Sequence, residues 1–223
     1  MKTVQKYSTS LLVFALLLLG ASKIFTAEAP WVTVRETSDG IVVKARERPG
    51  TSIRAVLAST EVAAPPKAVI DVTGDPNTFK SSENHLEDHR VYKTDNPNVW
   101  HVYYLVDFPF IAKRDYTLRY EKTVVPEKNL YQLSWHAAPN IGPPAREDIV
   151  RVTLADGWVK AVPKAQGTRS VIEYYVTADP GGNIPAWVVN IANRMTVPDL
   201  IRQIRDAAVK RNLSEQKTRE PSR

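Results

Sequence analysis

Asp179-Pro180-Gly181-Gly182-Asn183-Ile184-Pro185 separates a β-like run from a long amphipathic segment, and its reading decides the fold. The run before it, Ser170-Val171-Ile172-Glu173-Tyr174-Tyr175-Val176, is β-branched and aromatic, the composition of a pleated, half-buried strand. From Ala186 to about Leu213 apolar residues recur at helical spacing. A Pro-Gly-Gly turn ends the strand, Asn183 is a candidate helix cap, and Pro185 suits a first helical turn, where backbone N–H groups lack partners. The chain is expected to leave a sheet here and lay a final helix across it.

Upstream, strand-like runs recur between turn signals: Ile41 to Arg46, Ile53 to Val62, Leu86 to Lys93, Val99 to Asp107, Tyr116 to Val125 and Leu130 to His136. Val150 to Leu154, Gly157 to Val162 and Val171 to Thr177 complete eight or nine strands, with one short helix, Lys67 to Thr73, after Pro65-Pro66. Alternation assigns faces. Tyr116, Leu118 and Tyr120 share one side of their strand, Tyr131, Leu133 and Trp135 one side of the next, and Ile172, Tyr174 and Val176 one side of the last. The class is α+β: an antiparallel sheet whose apolar concave face needs a cover. The terminal helix supplies it through Val188, Ile191 and Met195 and, past Pro198, through Leu200, Ile201 and Ile204. Pro198 is expected to kink or divide that helix.

The chain has 223 residues, a formal charge of +6 and no cysteine. Disulfides, thiol catalysis and thiolate metal sites are thereby excluded. No Lys/Arg stripe interleaves with aromatics, so nucleic acid is not an expected partner. Lys2 and Lys6 precede an unbroken apolar run, Leu11 to Leu19, and Ala27-Glu28-Ala29 offers a small-x-small cleavage site. Nine such residues at about 1.5 Å each cannot span a hydrocarbon core of about 30 Å. Residues 1–29 therefore read as a signal peptide (or an uncleaved anchor), residues 30–213 as one domain and 214–223 as a flexible tail. Periplasmic or secreted localisation and a monomeric state are expected.

Taken in order, Phe108-Pro109-Phe110, Arg114-Asp115-Tyr116, Val150-Arg151, Gly157-Trp158, Pro163, Gly167-Thr168 and the segment from Asp179 through Trp187 to Asn190 resemble the START domain, the steroidogenic acute regulatory protein-related lipid transfer family. The resemblance runs from about Trp31 to Arg211. It implies a helix-grip fold, in which a curved antiparallel sheet wraps a long C-terminal helix and encloses a hydrophobic cavity. It further implies non-enzymatic binding or transfer of one lipid, no cofactor, and transient contact with a membrane surface. Sterol-carrying members place a charged pair in the cavity. The aligned positions here are His101 and Tyr120, so phospholipid or fatty acyl ligands are favoured over sterol.

The cavity candidates are then Trp100, His101, Tyr104, Tyr116, Leu118, Tyr120, Tyr131, Leu133, Trp135, Ile172, Tyr174, Val188, Ile191 and Met195. His101 could meet a head group or face solvent. Arg114-Asp115 reads as a structural ion pair or turn clamp, or as a polar contact in the cavity. His85-Leu86-Glu87-Asp88-His89 has histidines at i and i+4 but begins a strand, so it reads as a solvated polar edge and no metal is expected. Two other functions stay open. A helix-grip enzyme of cyclase or hydrolase type would draw its acid–base groups from His101, Asp115 and His136. An interaction module would have its cavity filled by tryptophan and tyrosine.

Overall fold

A computed structural model describes residues 28–78 and 85–219. The basic start and the apolar run of the expected signal peptide lie outside these residues, as do 220–223. No helix among the described residues is long and apolar enough to cross a membrane.

Among the described residues ten strands form one sheet: β1 (Val32–Glu36), β2 (Val42–Arg48), β3 (Thr51–Val62), β4 (Leu86–Lys93), β5 (Val99–Val106), β6 (Lys113–Val125), β7 (Leu130–Ala137), β8 (Ile149–Arg151), β9 (Leu154–Lys164) and β10 (Arg169–Asp179). Their spatial order is β1-β2-β3-β10-β9-β7-β6-β5-β4, with the short β8 pairing in parallel against β6. Every other pairing is antiparallel. Register slips in β1, β2 and β4 bend the sheet, since an extra residue on one strand increases local twist. Helix α1 (Pro66–Thr73) follows β3, and α2 (Ala186–Arg219) closes the chain.

The turn after β10 works through two glycines. Gly181 and Gly182 stand at φ +65° and +68°, a region costly for residues with a Cβ, and the Gly181 N–H donates to the Asp179 carboxylate at 2.9 Å. Asn183 does not cap α2. The helix begins after Pro185, whose carbonyl accepts from Val188 N at 2.9 Å.

Of the kink or division expected at Pro198, the division does not occur: the helix is continuous through it. A proline cannot supply the N–H that would reach the carbonyl four residues earlier. Here Arg35 of β1 donates to the Arg194 carbonyl at 3.1 Å and to that of Met195 at 3.3 Å. The cation meets the acceptor that Pro198 leaves open. Helix α2 then runs to Arg219, so 214–219 are helical where a flexible tail was expected. An Arg211–Glu215 pair and the Ser214 and Thr218 hydroxyls bonded to carbonyls of the preceding turn accompany this extension.

The main core lies where α1 and the C-terminal half of α2 press on β2, β3, β9 and β10. Ile70, Ile172, Ile201 and Ile204 are sealed there. Towards β4, β5 and β6 the sheet curves away from the helix, and the space between them stays open.

Candidate functional site

That space is a cavity of about 710 Å³, within the ~300–1,000 Å³ usual for small-molecule sites. Its floor follows from strand alternation. On β5, Trp100, Val102, Tyr104 and Val106 point inward, and on β6 their partners Tyr120, Leu118, Tyr116 and Arg114 do the same. Leu133 and Trp135 of β7, Val159 of β9 and Tyr174 of β10 extend the wall, and Val188, Val189, Ala192, Leu200 and Ile204 of α2 form the roof.

Gly157 makes the Trp135 position possible. A Cβ at this point of β9 would stand 2.3 Å from the Trp135 ring and 2.5 Å from the Tyr175 carbonyl. Only a residue without a side chain lets the indole lie across the strand.

The aromatic floor is ordered. Trp100 stacks on Tyr120 at 5.6 Å and Tyr104 on Tyr116 at 5.0 Å, and the Tyr104 and Tyr120 hydroxyls bond to each other at 3.2 Å. Burial pushes the pKa values of Tyr120 and Tyr174 well above the ordinary phenol range, so both stay neutral. His89 joins this wall, edge-on to Tyr104 at 5.4 Å.

Ten of the sequence candidates thus meet in one cavity: Trp100, Tyr104, Arg114, Tyr116, Leu118, Tyr120, Leu133, Trp135, Tyr174 and Val188. The others lie elsewhere. His101 occupies the opposite face of β5, as a strand neighbour of Trp100 must, across from Arg119 and Tyr92. Partial burial, then the nearby Arg119 and His136, lowers its pKa. Ile172 is fully buried in the main core, and Tyr131 packs on that core. Ile191 and Met195 face outward on α2, both exposed. His89, expected on a solvated edge, is the histidine that lines the cavity. Its signal was its register position opposite Tyr104, which the sequence alone does not display.

Arg114 and Asp115 are not paired with each other. Adjacent on a strand, they point to opposite faces. On the convex face, Asp115 accepts from Arg151 at 2.5 and 3.0 Å and from the Tyr103 hydroxyl at 3.3 Å. Burial, then the Asp115 charge, pushes the Tyr103 pKa up to about 12. Arg114 goes inward, buried in the cavity wall.

One end of the cavity is rimmed by the loop after β5 and the start of α2. Phe108, Pro109, Ile111, Pro180, Ile184 and Val188 border it. Around this rim Phe110 is fully exposed, held at φ 69°, and Trp187 is 66% exposed. Both are large apolar side chains turned to water. Further along α2, Arg202 and Arg205 both bind Asp39, at 3.0 and 2.7 Å.

No family model matches this chain, and no curated protein matches it by sequence. Solved structures do. The STAR-related lipid transfer protein (fragment 25–204) from Xanthomonas axonopodis superposes with a TM-score of 0.67 at 22% identity, over 80% of this chain and 98% of that one. The chain has the START fold. Human STARD10 matches that START frame with a TM-score of 0.67 at 20% identity, over 86% of this chain and 78% of its own. Human StAR-related lipid transfer protein 5 does so at 0.63 and 14% identity, over 84% and 89%. The helix-grip expectation therefore holds: a curved antiparallel sheet, a long C-terminal helix and an apolar cavity between them.

Proposed function

We propose that the protein binds a single lipid in this cavity and exchanges it with a membrane, without chemical turnover. The observation that carries the reading is the cavity itself, apolar and aromatic between sheet and helix, with an exposed apolar rim at Phe110 and Trp187. It is open space, which argues against the reading of an interaction module filled by its own aromatics. Each acyl methylene leaving water gains about 0.8 kcal/mol, so a sixteen-carbon chain gains roughly 12 kcal/mol. A bilayer offers the same gain. Extraction is near neutral when the cavity matches lipid in polarity and opens at the membrane, and the apolar rim fits that role.

The three acid–base groups that the enzyme reading named do not meet in the cavity, although His89 lines it. His101 and His136 are outside the cavity lining, and Asp115 is committed to Arg151 on the other face. Phospholipid and fatty acyl ligands remain favoured over sterol, because the positions aligned with the charged pair of sterol carriers are His101 and Tyr120, neither a carboxylate nor an arginine. Periplasmic or secreted localisation belongs to the proposal and rests on residues 1–29 alone. Native mass spectrometry of protein purified from its own host tests the ligand. A co-purifying lipid, released by Trp135→Ala, is expected; protein that is empty and takes up no lipid from vesicles contradicts the reading.

A further inference from the structure

Arg114 is a buried cation with no counterion among the described residues. Its side chain is 5% exposed and lines an otherwise apolar cavity wall, yet no carboxylate pairs with it among the described residues. One Nη1 bond runs to the Ala112 carbonyl, and Nε is buried with no partner. A guanidinium has five N–H donors and keeps its charge at any physiological pH, so most of its bonding capacity is unspent. A buried charge is ordinarily paired.

The neighbouring backbone makes room for this group. A Cβ on Gly182 would lie 3.3 Å from Nη2, and one on Gly181 would lie 3.0 Å from Val150, which borders the same corner. The Pro-Gly-Gly turn is thus also the bare wall behind a cation. Asp115, the acid next in sequence, is taken by Arg151 on the opposite face. The carboxylate that does line the cavity, Asp75, receives Asn77 N at 2.9 Å and adjoins Gly74, which packs on Trp100. Trp100 and Val106, the strand partner of Arg114, are six residues apart on β5, roughly 20 Å of strand floor.

The geometry points to an anionic head-group site: Arg114 receives the carboxylate or phosphate of an amphiphile at the rim, and the chain runs inward over Tyr116, Leu118 and Tyr120. This deepens the lipid reading and rests on it. It commits the ligand to a charged-head acyl lipid, for which the ~20 Å floor provides a path. The guanidinium fork suits both oxyanions, since each accepts two parallel N–H bonds.

The test compares oleate with oleyl alcohol, equal in chain and different in head charge, by titration calorimetry on the wild type, Arg114→Met and Arg114→Lys. Wild type should prefer oleate by roughly tenfold or more, the worth of one or two charge-assisted bonds. Arg114→Met should erase that preference, its loss falling on oleate far more than on oleyl alcohol, and Arg114→Lys should keep part of it. Equal losses for both ligands in Arg114→Met would make the arginine structural and overturn the proposal, as would a wild type without preference. That last comparison needs no variant, so it stands if Arg114→Met fails to fold. Inorganic phosphate competing at millimolar concentration with no preference between the two lipids would mean a free-anion site and also overturn it. A wild type that binds oleyl alcohol but not oleate removes the head-group site and leaves the lipid reading; one that binds neither removes both.

Discussion

Before Pro198, α2 turns Trp187, Ile191 and Met195 to solvent; after it, Ile201, Ile204 and Ala208 are sealed against the sheet and α1. The first half is held to β3 chiefly by Asn190, whose side chain accepts from Arg54 N and donates to the Ser52 carbonyl, both at 3.0 Å. These backbone groups lie beyond the last β3–β10 pair, Val56 with Val176, so Asn190 occupies a ladder position that no strand fills. The second half is held by apolar burial and by Asp39, which binds Arg202 and Arg205. A few polar bonds can open and re-form, whereas a packed core does not open without unfolding. One continuous helix therefore carries an anchor and, on the proposed function, a gate.

The contrast can be broken at either end. Ile201→Ala removes a fully buried side chain and should lower unfolding free energy by about 2–5 kcal/mol, read by urea denaturation. Trp187→Ala should change it by less than about 0.5 kcal/mol and instead slow lipid exchange with vesicles. Similar destabilisation by both would erase the distinction between the halves.

Asn190→Ala is the intermediate case. It removes two partly exposed bonds, worth about 1 kcal/mol together, and should speed ligand release measured by stopped flow. The weakest effect falls on the anchor's polar rim. Hydrogen bonding to Arg202 first, then to Thr37 and Arg205, holds the Asp39 carboxyl far below its usual range. A depressed folded pKa gives stability that is present above the unfolded value, near 4, and is lost as pH falls below it. Asp39→Asn should flatten the slope of thermal midpoint against pH in that acid window. An unchanged slope would locate the acid sensitivity elsewhere.

Much of this arrangement was legible in the residues. The Leu86–Lys93 strand has the predicted bounds, and the Tyr116, Leu118, Tyr120 stripe faces the cavity because a period of two has no other solution on a half-buried strand. Extended two residues back, the same parity places Arg114 inward and Asp115 outward. Reading the dipeptide as one unit hid that. β1 was missed because Val32–Glu36 is a short, largely exposed edge strand with little apolar signal. His101 faces away because strand neighbours such as Trp100 and His101 cannot share a side, whereas His89 stayed hidden because the register between β4 and β5 belongs to tertiary structure. Helix α2 outran its predicted end because short-range bonds among Arg211, Ser214, Glu215 and Thr218 accompany turns whose composition reads as a tail.

The gate is tested most directly by fastening it. The chain has no cysteine, so Ser52→Cys with Asn190→Cys would introduce a single disulfide between β3 and the first half of α2. Lipid transfer between vesicles should fall at least about tenfold on oxidation, the effect of raising the opening free energy by about 1.4 kcal/mol, and recover on reduction. Transfer at the wild-type rate with the disulfide closed would contradict the account.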